Sequence, residues 1–331
     1  MSITLYLAIP CYNEEEVLPE TAKRLKEKFS ALRKAGTITA ESRACFIDDG
    51  SKDKTWELIC QLHQQDPMFS GIKLSRNRGH QNALLCGLMT LRERADCVIS
   101  LDADLQDDIN AIDGMLEKFQ EGCDVVYGVR SKRETDTAFK RITAEGFYRV
   151  MKALGADVVF NHADYRLMSK KALDALSEFH ETNLFLRGLI PTMGFQSDIV
   201  YFDVKEREAG QSKYTLKKMM TLAVDGITSM STRPLQMIVI LGFLTFLFSI
   251  GLFISCIVDW ANGAVVAGWT TTVASTCLIG GITLLSQGII GEYIGKIYME
   301  SKGRPRYIVD SMILRDAEDS AEEEQENERK D

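Results

Sequence analysis

The sequence lacks several patterns that would assign it to a common class. None of its eight cysteines stands in a Cys-x-x-Cys pair or at metal-ligand spacing from the four histidines, so neither a zinc site nor a disulfide framework is indicated. It contains no Gly-x-Gly-x-x-Gly and no Gly-x-x-x-x-Gly-Lys-Ser/Thr, which removes the signatures of dinucleotide and P-loop binding. Acidic residues outnumber basic ones, 47 to 39, which argues against a nucleic-acid partner. The cysteines are expected to be reduced core residues in the cytosol, and no signal peptide is expected.

Much of the negative charge lies at the end of the chain. Residues 315–331 hold nine acids and three bases, which is −6 of the net charge of −8. The rest of the chain therefore carries about −2, and the end is predicted to be an acidic, disordered tail.

Two long apolar runs follow the middle of the chain. Leu235–Val258 has 24 residues and Trp269–Ile290 has 22, and neither contains Asp, Glu, Lys or Arg. As a helix the first would span about 36 Å, against a hydrocarbon core of about 30 Å. A membrane hairpin over 233–297 is predicted, and two buried helices of a soluble protein are the alternative.

Charges around these runs predict an orientation. The linker 259–268 has no Lys or Arg, whereas eight basic residues flank the pair: Lys213, Lys217, Lys218, Arg233, Lys296, Lys302, Arg304 and Arg306. Basic flanks favour the cytoplasmic side, so the tail 298–331 and everything before the hairpin are expected in the cytoplasm, at the plasma membrane. Residues 213–232 carry an apolar stripe at helical spacing, which predicts an interfacial helix or, alternatively, an ordinary domain helix.

Residues 1–212 alternate between strand-like and helix-like segments. Short apolar runs occur at 5–9, 44–47, 72–74, 97–101 and 125–127, with helical patterns between them at 14–34, 54–65, 80–94 and 109–120. This alternation predicts an α/β domain with a mostly parallel sheet and helices on both faces. Ligands of such sheets bind beyond the carboxyl ends of the strands.

Polar clusters follow four of these runs: "PCYNEEE", "DDGSKD", "RNRGHQ" and "DADLQDD". In the last cluster Asp102 and Asp104 share a face if the strand continues, and Gln106 joins them. A hard cation, Mg²⁺ or Mn²⁺, would offset their repulsion and complete its shell with substrate phosphates. The alternative is a solvated loop in which Asp107, Asp108 and Asn110 cap the next helix.

The four clusters, in this order, resemble the family-two glycosyltransferases with the A-type nucleotide-sugar fold. "PCYNEE" is similar to that family's P-x-Y-N-E, "DDGSKD" to its D-D-G-S-x-D, and "DADLQ" to its D-x-D metal motif. The segments "DYRLMSKKALDAL", "NLFLRGLI", "REAGQSKYTLKKM" and "GEYIGKIYMESKGRP" resemble bactoprenol glucosyltransferases and dolichol-phosphate mannose synthases that have a two-helix membrane anchor. The resemblance covers residues 3–308.

The resemblance implies a donor site and a metal site. The residues that would contact the nucleotide sugar are Pro10, Tyr12, Glu14, Asp48, Asp49, Ser51, Asn77 and Asp102. Asp104 would hold the metal with Asp102 and with Gln106 as an extra ligand.

It also implies an acceptor site. A polyprenyl phosphate has a second pKa of about 6 and is ionised near neutrality, so no strong general base is needed. The residues expected to bind its phosphate are Arg130, Arg133, Lys140, Arg141, Arg207, Ser212 and Lys213. Asp164 would lie near the sugar and acceptor, and the residues expected to take part in catalysis are Asp104, Asp164, Arg130 and Arg141. His80, where some relatives have Lys, is given no chemical role.

The expected activity is an inverting, metal-dependent transfer of a hexose, with glucose from UDP-glucose as the first expectation, to a polyprenyl phosphate in the cytoplasmic leaflet. GDP-mannose as donor is the nearest alternative, and a non-catalytic membrane scaffold is a more distant one. A processive polysaccharide synthase is disfavoured because Q-x-x-R-W is missing. Gly291 and Gly295 form a GxxxG pair that leaves a homo-oligomer open.

Overall fold

The computed structural model describes residues 2–104, 106–131, 162–203, 228, 231–262 and 268–314. The chain divides into two compact units. The first, called the sheet unit, comprises Met1–Arg141, Val158–Lys213 and Pro305–Asp331. The second, called the helical unit, comprises Ile142–Asp157 and Tyr214–Arg304.

Strands and helices alternate through the first part of the sheet unit, as the sequence predicts. In chain order they are β1 Leu5–Cys11, α1 Leu18–Lys34, β2 Arg43–Asp48, α2 Thr55–Gln65, β3 Phe69–Leu74, α3 His80–Leu91, β4 Cys97–Ser100, α4 Ala111–Gln120 and β5 Val125–Arg130. Every residue of β1 and of β4 is buried, because both faces of the sheet are covered by helices.

The described chain then continues with β6 His162–Ser169, α5 Lys170–Ser177, α6 Leu186–Thr192, β7 Ser197–Phe202 and, much later, β8 Val309–Ile313. Within the described residues eight strands form one sheet in the order β7-β5-β6-β4-β1-β2-β3-β8. β4, β1, β2 and β3 are mutually parallel, and β5 is parallel to β7. The predicted fold class is confirmed, with β6 and β8 as antiparallel additions.

Alternate residues of β1 face two separate apolar clusters. Leu5, Leu7 and Ile9 join the cluster that contains Phe29 of α1, whereas Tyr6 and Ala8 join the cluster formed with α3, α5 and α6. Burial of one such large apolar side chain contributes about 1.5–3 kcal/mol. Among the described cysteines five are buried and free, and Cys60 is partly buried and free.

The direction of β6 brings a distant acid to the edge where β4 ends. β6 is antiparallel to β4, and Ser100 pairs with Arg166. The beginning of β6 therefore lies beside the carboxyl end of β4. Asp164, two residues before Arg166, is thus placed near Asp102, two residues after Ser100.

β8 lies within residues 298–331, for which the sequence predicts a tail and no strand. It pairs antiparallel with β3, with Gly71 opposite Ile313. Its side chains alternate, since Val309 and Ile313 are partly buried and Met312 is exposed. Ile313 packs against the first apolar cluster, and this contact stabilises the short strand at the edge of the sheet. Residues 315–331 lie outside the described part of the chain.

The helical unit contains α7 Arg233–Ala261 and α8 Trp269–Ser301. The segments Arg233–Gly251 and Leu278–Ser301 are long and apolar enough to cross a membrane, with mean hydropathies of 2.0 and 1.2, and neither is buried. Length and composition alone are weak evidence for a span. Most of the predicted interfacial helix at 213–232 lies outside the described residues.

Candidate active site

The loops after β1 and β2 are held together by hydrogen bonds at the carboxyl edge of the sheet. Asn13 has a φ of 54°, its backbone N–H donates to Ser51 Oγ at 2.9 Å, and its side-chain oxygen accepts from the Lys52 N–H at 2.8 Å. The Glu14 N–H donates to Thr55 Oγ1 at 2.9 Å. Because β1 and β2 are adjacent and parallel, these bonds fix both loops as one wall. Pro10 is buried within β1, and Tyr12, which is partly buried, directly follows that strand.

Asp48, the last residue of β2, is fully buried. Its Oδ1 accepts from the Ser51 N–H at 3.0 Å, and its Oδ2 has no hydrogen-bond partner among the described residues. Desolvation raises the pKa of Asp48, and its hydrogen bonds with Ser51 partly offset the rise. An unpaired buried acceptor of this kind is uncommon in folded proteins.

Asp49 differs from Asp48 because each of its two carboxylate oxygens accepts a hydrogen bond from a backbone N–H. It is 3% exposed, and it accepts from the N–H groups of Arg78 at 2.7 Å and Gly79 at 2.9 Å. Both donors lie in the loop after β3. Asn77, another predicted donor contact, is exposed in the same loop.

β4 ends at Ser100, so Asp102 and Asp104 lie in the loop and turn that follow it and not on a continued strand. The Gln106 N–H donates to Asp104 Oδ1 at 3.2 Å. Desolvation raises the pKa of Asp102, the nearby carboxylates of Asp164 and Asp104 raise it further, and His80 and Arg130 partly offset the rise. The chain therefore concentrates negative charge at this point.

The capping alternative receives limited support. Asn110 directly precedes α4, and in the described loop no side-chain hydrogen bond caps the helix. Asp107 is buried and its Oδ1 accepts from Arg130 at 3.2 Å. Desolvation raises the pKa of Asp107 to about 6, with Arg130 opposing the rise and Asp102 and Asp104 adding to it.

Asp164 is the most heavily paired acid of the site. Arg166 donates to its Oδ1 at 2.6 Å, and Arg187 donates to both oxygens at 3.0 Å. Nε2 of His80 lies 3.4 Å from Asp164 Oδ2 and 3.7 Å from Asp102 Oδ1. Desolvation alone would raise the pKa of Asp164, but the hydrogen bond from His80 and the charges of the two arginines outweigh it and hold the pKa well below its ordinary value.

Three of these partners had no predicted role. Arg166 and Arg187 belong to the segments "DYRLM" and "NLFLRGLI", which carry the family resemblance. Arg166 lies two residues after Asp164 on β6, so the alternation of side chains along a strand is the signal that could have paired them. Arg187 of α6 and His80 of α3 come from other elements, and no local pattern ties them to Asp164. No chemical role was predicted for His80, and the structure places it beside Asp164 and Asp102.

Arg130 ends β5 and lies at the same edge, where it pairs with Asp107. The other predicted acceptor contacts lie outside the described residues: Arg133, Lys140, Arg141, Arg207, Ser212 and Lys213.

The residues present fit a cation that relies on its substrate for ligands. Within the described ranges, no group of three or more His, Cys, Asp and Glu side chains is arranged to hold a metal. Asp102 and Asp104 offer two carboxylates; desolvation is the main cause of the raised pKa of Asp102, and the charges of Asp164 and Asp104 add to it. One or two carboxylates together with substrate phosphates is the arrangement that Mg²⁺ commonly adopts in proteins.

Comparison with known proteins identifies the family. The model of the family described as glycosyl transferase family 2 matches residues 6–177. The chain belongs to glycosyl transferase family 2. This confirms the resemblance on which the predicted site was built.

Relatives match this family-2 chain over nearly its whole length. An uncharacterized glycosyltransferase of Bacillus subtilis (strain 168), YkoT, is 49% identical over 310 residues, which is 92% of this chain and 91% of the relative. A bactoprenol glucosyl transferase of Shigella phage SfX is 38% identical over 310 residues, 92% of this chain and 98% of the relative. Glucosyl-3-phosphoglycerate synthase of Mycobacterium tuberculosis, solved with Mn²⁺, UDP and phosphoglyceric acid, is 16% identical with a TM-score of 0.43, over 70% of this chain and 78% of that chain.

Proposed function

We propose that this family-2 enzyme transfers glucose from UDP-glucose to a polyprenyl phosphate at the cytoplasmic leaflet of the plasma membrane, with inversion at the sugar carbon. The observation that carries the proposal is the 38% identity to a bactoprenol glucosyl transferase over 92% of the chain, which includes the two apolar helices. The acids at the carboxyl edge of β4 agree with it.

The donor nucleoside is proposed to bind against the wall formed by the loops after β1 and β2. Asp48 and Asp49 lie at this wall, and carboxylate oxygens can accept an N–H such as that of a uracil ring. Tyr12 and Glu14 stand on the same wall, together with Ser51, whose hydroxyl oxygen already accepts from Asn13.

Asp104 and Asp102, with Gln106, are the residues proposed to hold a divalent cation. Bound Mg²⁺ or Mn²⁺ would neutralise the charge that grows on the nucleoside diphosphate as it leaves. Asp104 is partly exposed, so a substrate phosphate can reach it.

The acceptor is proposed to attack through a phosphate oxygen that is already ionised at neutral pH, since its second pKa is about 6. Arg130 at the end of β5, with the basic residues that follow it, would position this phosphate because guanidinium groups bind phosphate oxygens in pairs. Asp164 is tied to two arginines and a histidine, so its proposed role is to orient groups around the sugar.

The two apolar helices of the helical unit are proposed to anchor the enzyme in the membrane that holds its acceptor. A lipid-linked phosphate lies at the headgroup level while its chain lies in the bilayer. Two apolar helices of 29 and 33 residues suit an anchor that keeps the enzyme near such an acceptor, and the basic flanks favour a cytoplasmic sheet unit.

Transfer of radiolabelled sugar to extracted lipid tests the proposal. The full-length protein in liposomes with undecaprenyl phosphate should label the lipid from UDP-glucose with Mn²⁺ or Mg²⁺, and EDTA should stop the reaction. Labelling from GDP-mannose instead would change the donor but keep the chemistry. The scaffold alternative would be supported if no lipid product formed with any member of a panel of sugar nucleotides.

A further inference from the structure

We infer that Asp107 is a positioning residue, which holds the guanidinium of Arg130 and thereby fixes where the acceptor phosphate binds relative to the proposed metal ligands Asp104 and Gln106. This inference rests on the proposed function and deepens it. Helix capping is the role that the sequence suggests for Asp107.

Asp107 and Arg130 form an ion pair in which the acid is covered and the base is accessible. Oδ1 of Asp107 accepts from Nη2 of Arg130 at 3.2 Å. The Asp107 side chain is 1% exposed, whereas that of Arg130 is 39% exposed. A phosphate can therefore reach the guanidinium while its carboxylate partner stays out of contact with solvent.

Stability alone does not account for this pair. Among the described residues Arg130 is the group that donates to the Asp107 carboxylate, and Oδ2 of Asp107 has no hydrogen-bond partner there. A buried ion pair with so few hydrogen bonds adds little to the free energy of unfolding, because desolvation offsets the attraction between the charges. The pair does, however, determine where the guanidinium lies.

The loop that carries Asp107 is anchored on both sides. Before Asp107, the Ala103 carbonyl accepts from Thr21 Oγ1 at 2.7 Å, and Thr21 is fully buried. After it, the Asp108 carbonyl accepts from the Tyr165 hydroxyl at 3.3 Å, and Tyr165 is buried as well. Asp107 therefore has a fixed place in the loop.

The same loop bears the residues proposed to hold the metal. Gln106 is the chain neighbour of Asp107, so their Cα atoms lie about 3.8 Å apart, and the Gln106 N–H donates to Asp104 Oδ1 at 3.2 Å. One loop would thus set the position of both the cation and the Arg130 guanidinium. Transfer requires the reacting atoms to lie about 3–3.5 Å apart, so the spacing of these two groups determines whether the acceptor oxygen reaches the sugar.

Another acid would compete for Arg130 at this edge. Desolvation raises the pKa of Asp102 and the charge of Arg130 opposes the rise, so the two groups lie near each other. Without the carboxylate of Asp107, the guanidinium would be attracted to Asp102, a proposed metal ligand, and away from the acceptor. Loss of Asp107 should therefore misplace Arg130.

Kinetics of matched variants of the full-length protein in liposomes with undecaprenyl phosphate test the assignment. Asp107→Asn keeps the shape of the side chain but removes its charge. It should raise the KM for the lipid phosphate about 10- to 100-fold, the effect that loss of an orienting partner commonly has at metal sites, with a much smaller change in the KM for UDP-glucose. Asp124→Asn is the control, because Asp124 precedes β5 at the end opposite Arg130 and pairs with Lys171 at 2.8 Å; it should change neither KM.

Two outcomes of this comparison would refute the inference. An equal rise in both KM values would mean that Asp107 supports the whole loop and does not act through Arg130. A lower KM for the lipid phosphate would mean that Asp107 only weakens the positive charge of Arg130, since its removal would then strengthen the attraction of the phosphate.

Two further variants separate this role from a general loss of structure. In a double-mutant cycle, Asp107→Asn and Arg130→Ala should be strongly non-additive in the KM for the lipid phosphate, because the acid acts through the arginine; additive effects would contradict the inference. Asp107→Glu keeps the charge but displaces it by one methylene, and it should also raise the KM for the lipid phosphate. Wild-type kinetics in Asp107→Glu would show that Arg130 requires a nearby charge and not a fixed position.

Chemical modification of Arg130 gives a result that requires no substrate. Phenylglyoxal reacts with accessible guanidinium groups, and mass spectrometry of the peptide that contains Arg130 measures the rate. Arg130 should react severalfold faster in Asp107→Asn than in the wild type or in Asp124→Asn. An unchanged rate would refute the role of Asp107 even if no sugar nucleotide supported transfer, whereas a faster rate without any lipid product would support that role and count against the proposed function alone.

Discussion

Replacement of Asp164 by asparagine is expected to destabilise the sheet unit by about 3–5 kcal/mol, the usual loss when one partner of a buried ion pair is removed. The reason lies in Arg166, whose side chain is 1% exposed beside an Asp164 that is 14% exposed. Arg166 donates to Asp164 at 2.6 Å and to the Leu186 carbonyl at 3.5 Å. Without the carboxylate its charge would stay buried with only weak compensation.

The two arginines do not contribute equally to this loss. Arg187 is 30% exposed, so water can replace part of what Asp164 supplies to it. A hydrogen bond to a charged group contributes about 1.5–3 kcal/mol, and asparagine retains one oxygen that can accept one bond. The loss should therefore stay near the quoted range, which corresponds to a fall in Tm of roughly 6–20 °C for a unit of this size.

Thermal unfolding of the full-length protein in detergent, followed by tryptophan fluorescence in a Trp260→Phe/Trp269→Phe background that leaves Trp56 of the first apolar cluster as the reporter, measures the effect. Asp198→Asn is the control, because Asp198 pairs with Lys118 at 3.2 Å while the two side chains are 45% and 33% exposed and Lys118 keeps Glu121 as a partner; it should cost less than about 1 kcal/mol. The double variant Asp164→Asn/Arg166→Met should recover at least half of the loss, since the buried charge is gone. If Asp164→Asn alone unfolds within about 1 kcal/mol of the wild type, the account of Arg166 is wrong.

The ion pairs of Asp164 also predict that the free energy of unfolding depends on pH. The folded pKa of Asp164 lies below the unfolded value of about 3.9, because hydrogen bonding from His80 and the charges of Arg187 and Arg166 outweigh desolvation. The stabilisation is therefore complete above the unfolded pKa and is lost as the pH falls through the folded pKa. Below about pH 5, where His80 is already protonated because its pKa is raised, the stability difference caused by Asp164→Asn should shrink as the pH falls below about 4. A difference that stayed constant down to about pH 2 would contradict the lowered pKa of Asp164.

Three other changes have expected outcomes. Asp104→Ala should abolish sugar transfer with an unchanged Tm, and an unchanged rate would remove the metal assignment. Arg130→Ala should raise the KM for the lipid phosphate more than the KM for the sugar nucleotide, and equal effects would place Arg130 elsewhere. Gly87→Ala should destabilise the protein by about 1–3 kcal/mol in thermal unfolding, because its Cβ would lie 2.7 Å from Ile47 Cδ1; a stability equal to that of the wild type would show that Ile47 repacks without cost.

The sheet and its carboxyl edge could be predicted because their signals are local. β1 and β4 are buried on both faces and read as continuous apolar runs, and the polar clusters after them must meet wherever parallel strands end together. Asp102 and Asp104 were located this way. Family resemblance added Asp164.

Arg166 could have been paired with Asp164 from the sequence, because the two lie two residues apart on β6 and therefore share a face. The other partners could not be predicted, because they depend on contacts between distant segments. Arg187 lies on α6, 23 residues from Asp164, and His80 begins α3. Local sequence likewise gave Asp48 and Asp49 the same character, and their different hydrogen bonds distinguish them.

β8 has a consequence for the order in which the protein is made. A ribosome releases residues 309–313 only after it has synthesised both α7 and α8. Until then β3 is an unpaired edge strand of the nascent sheet. Unpaired strand edges invite pairing with other chains. A premature stop codon just ahead of Val309 should therefore yield a polypeptide that aggregates, although it contains all the residues of the site around Asp104. The yield of soluble truncated protein should then depend on chaperones present during its synthesis.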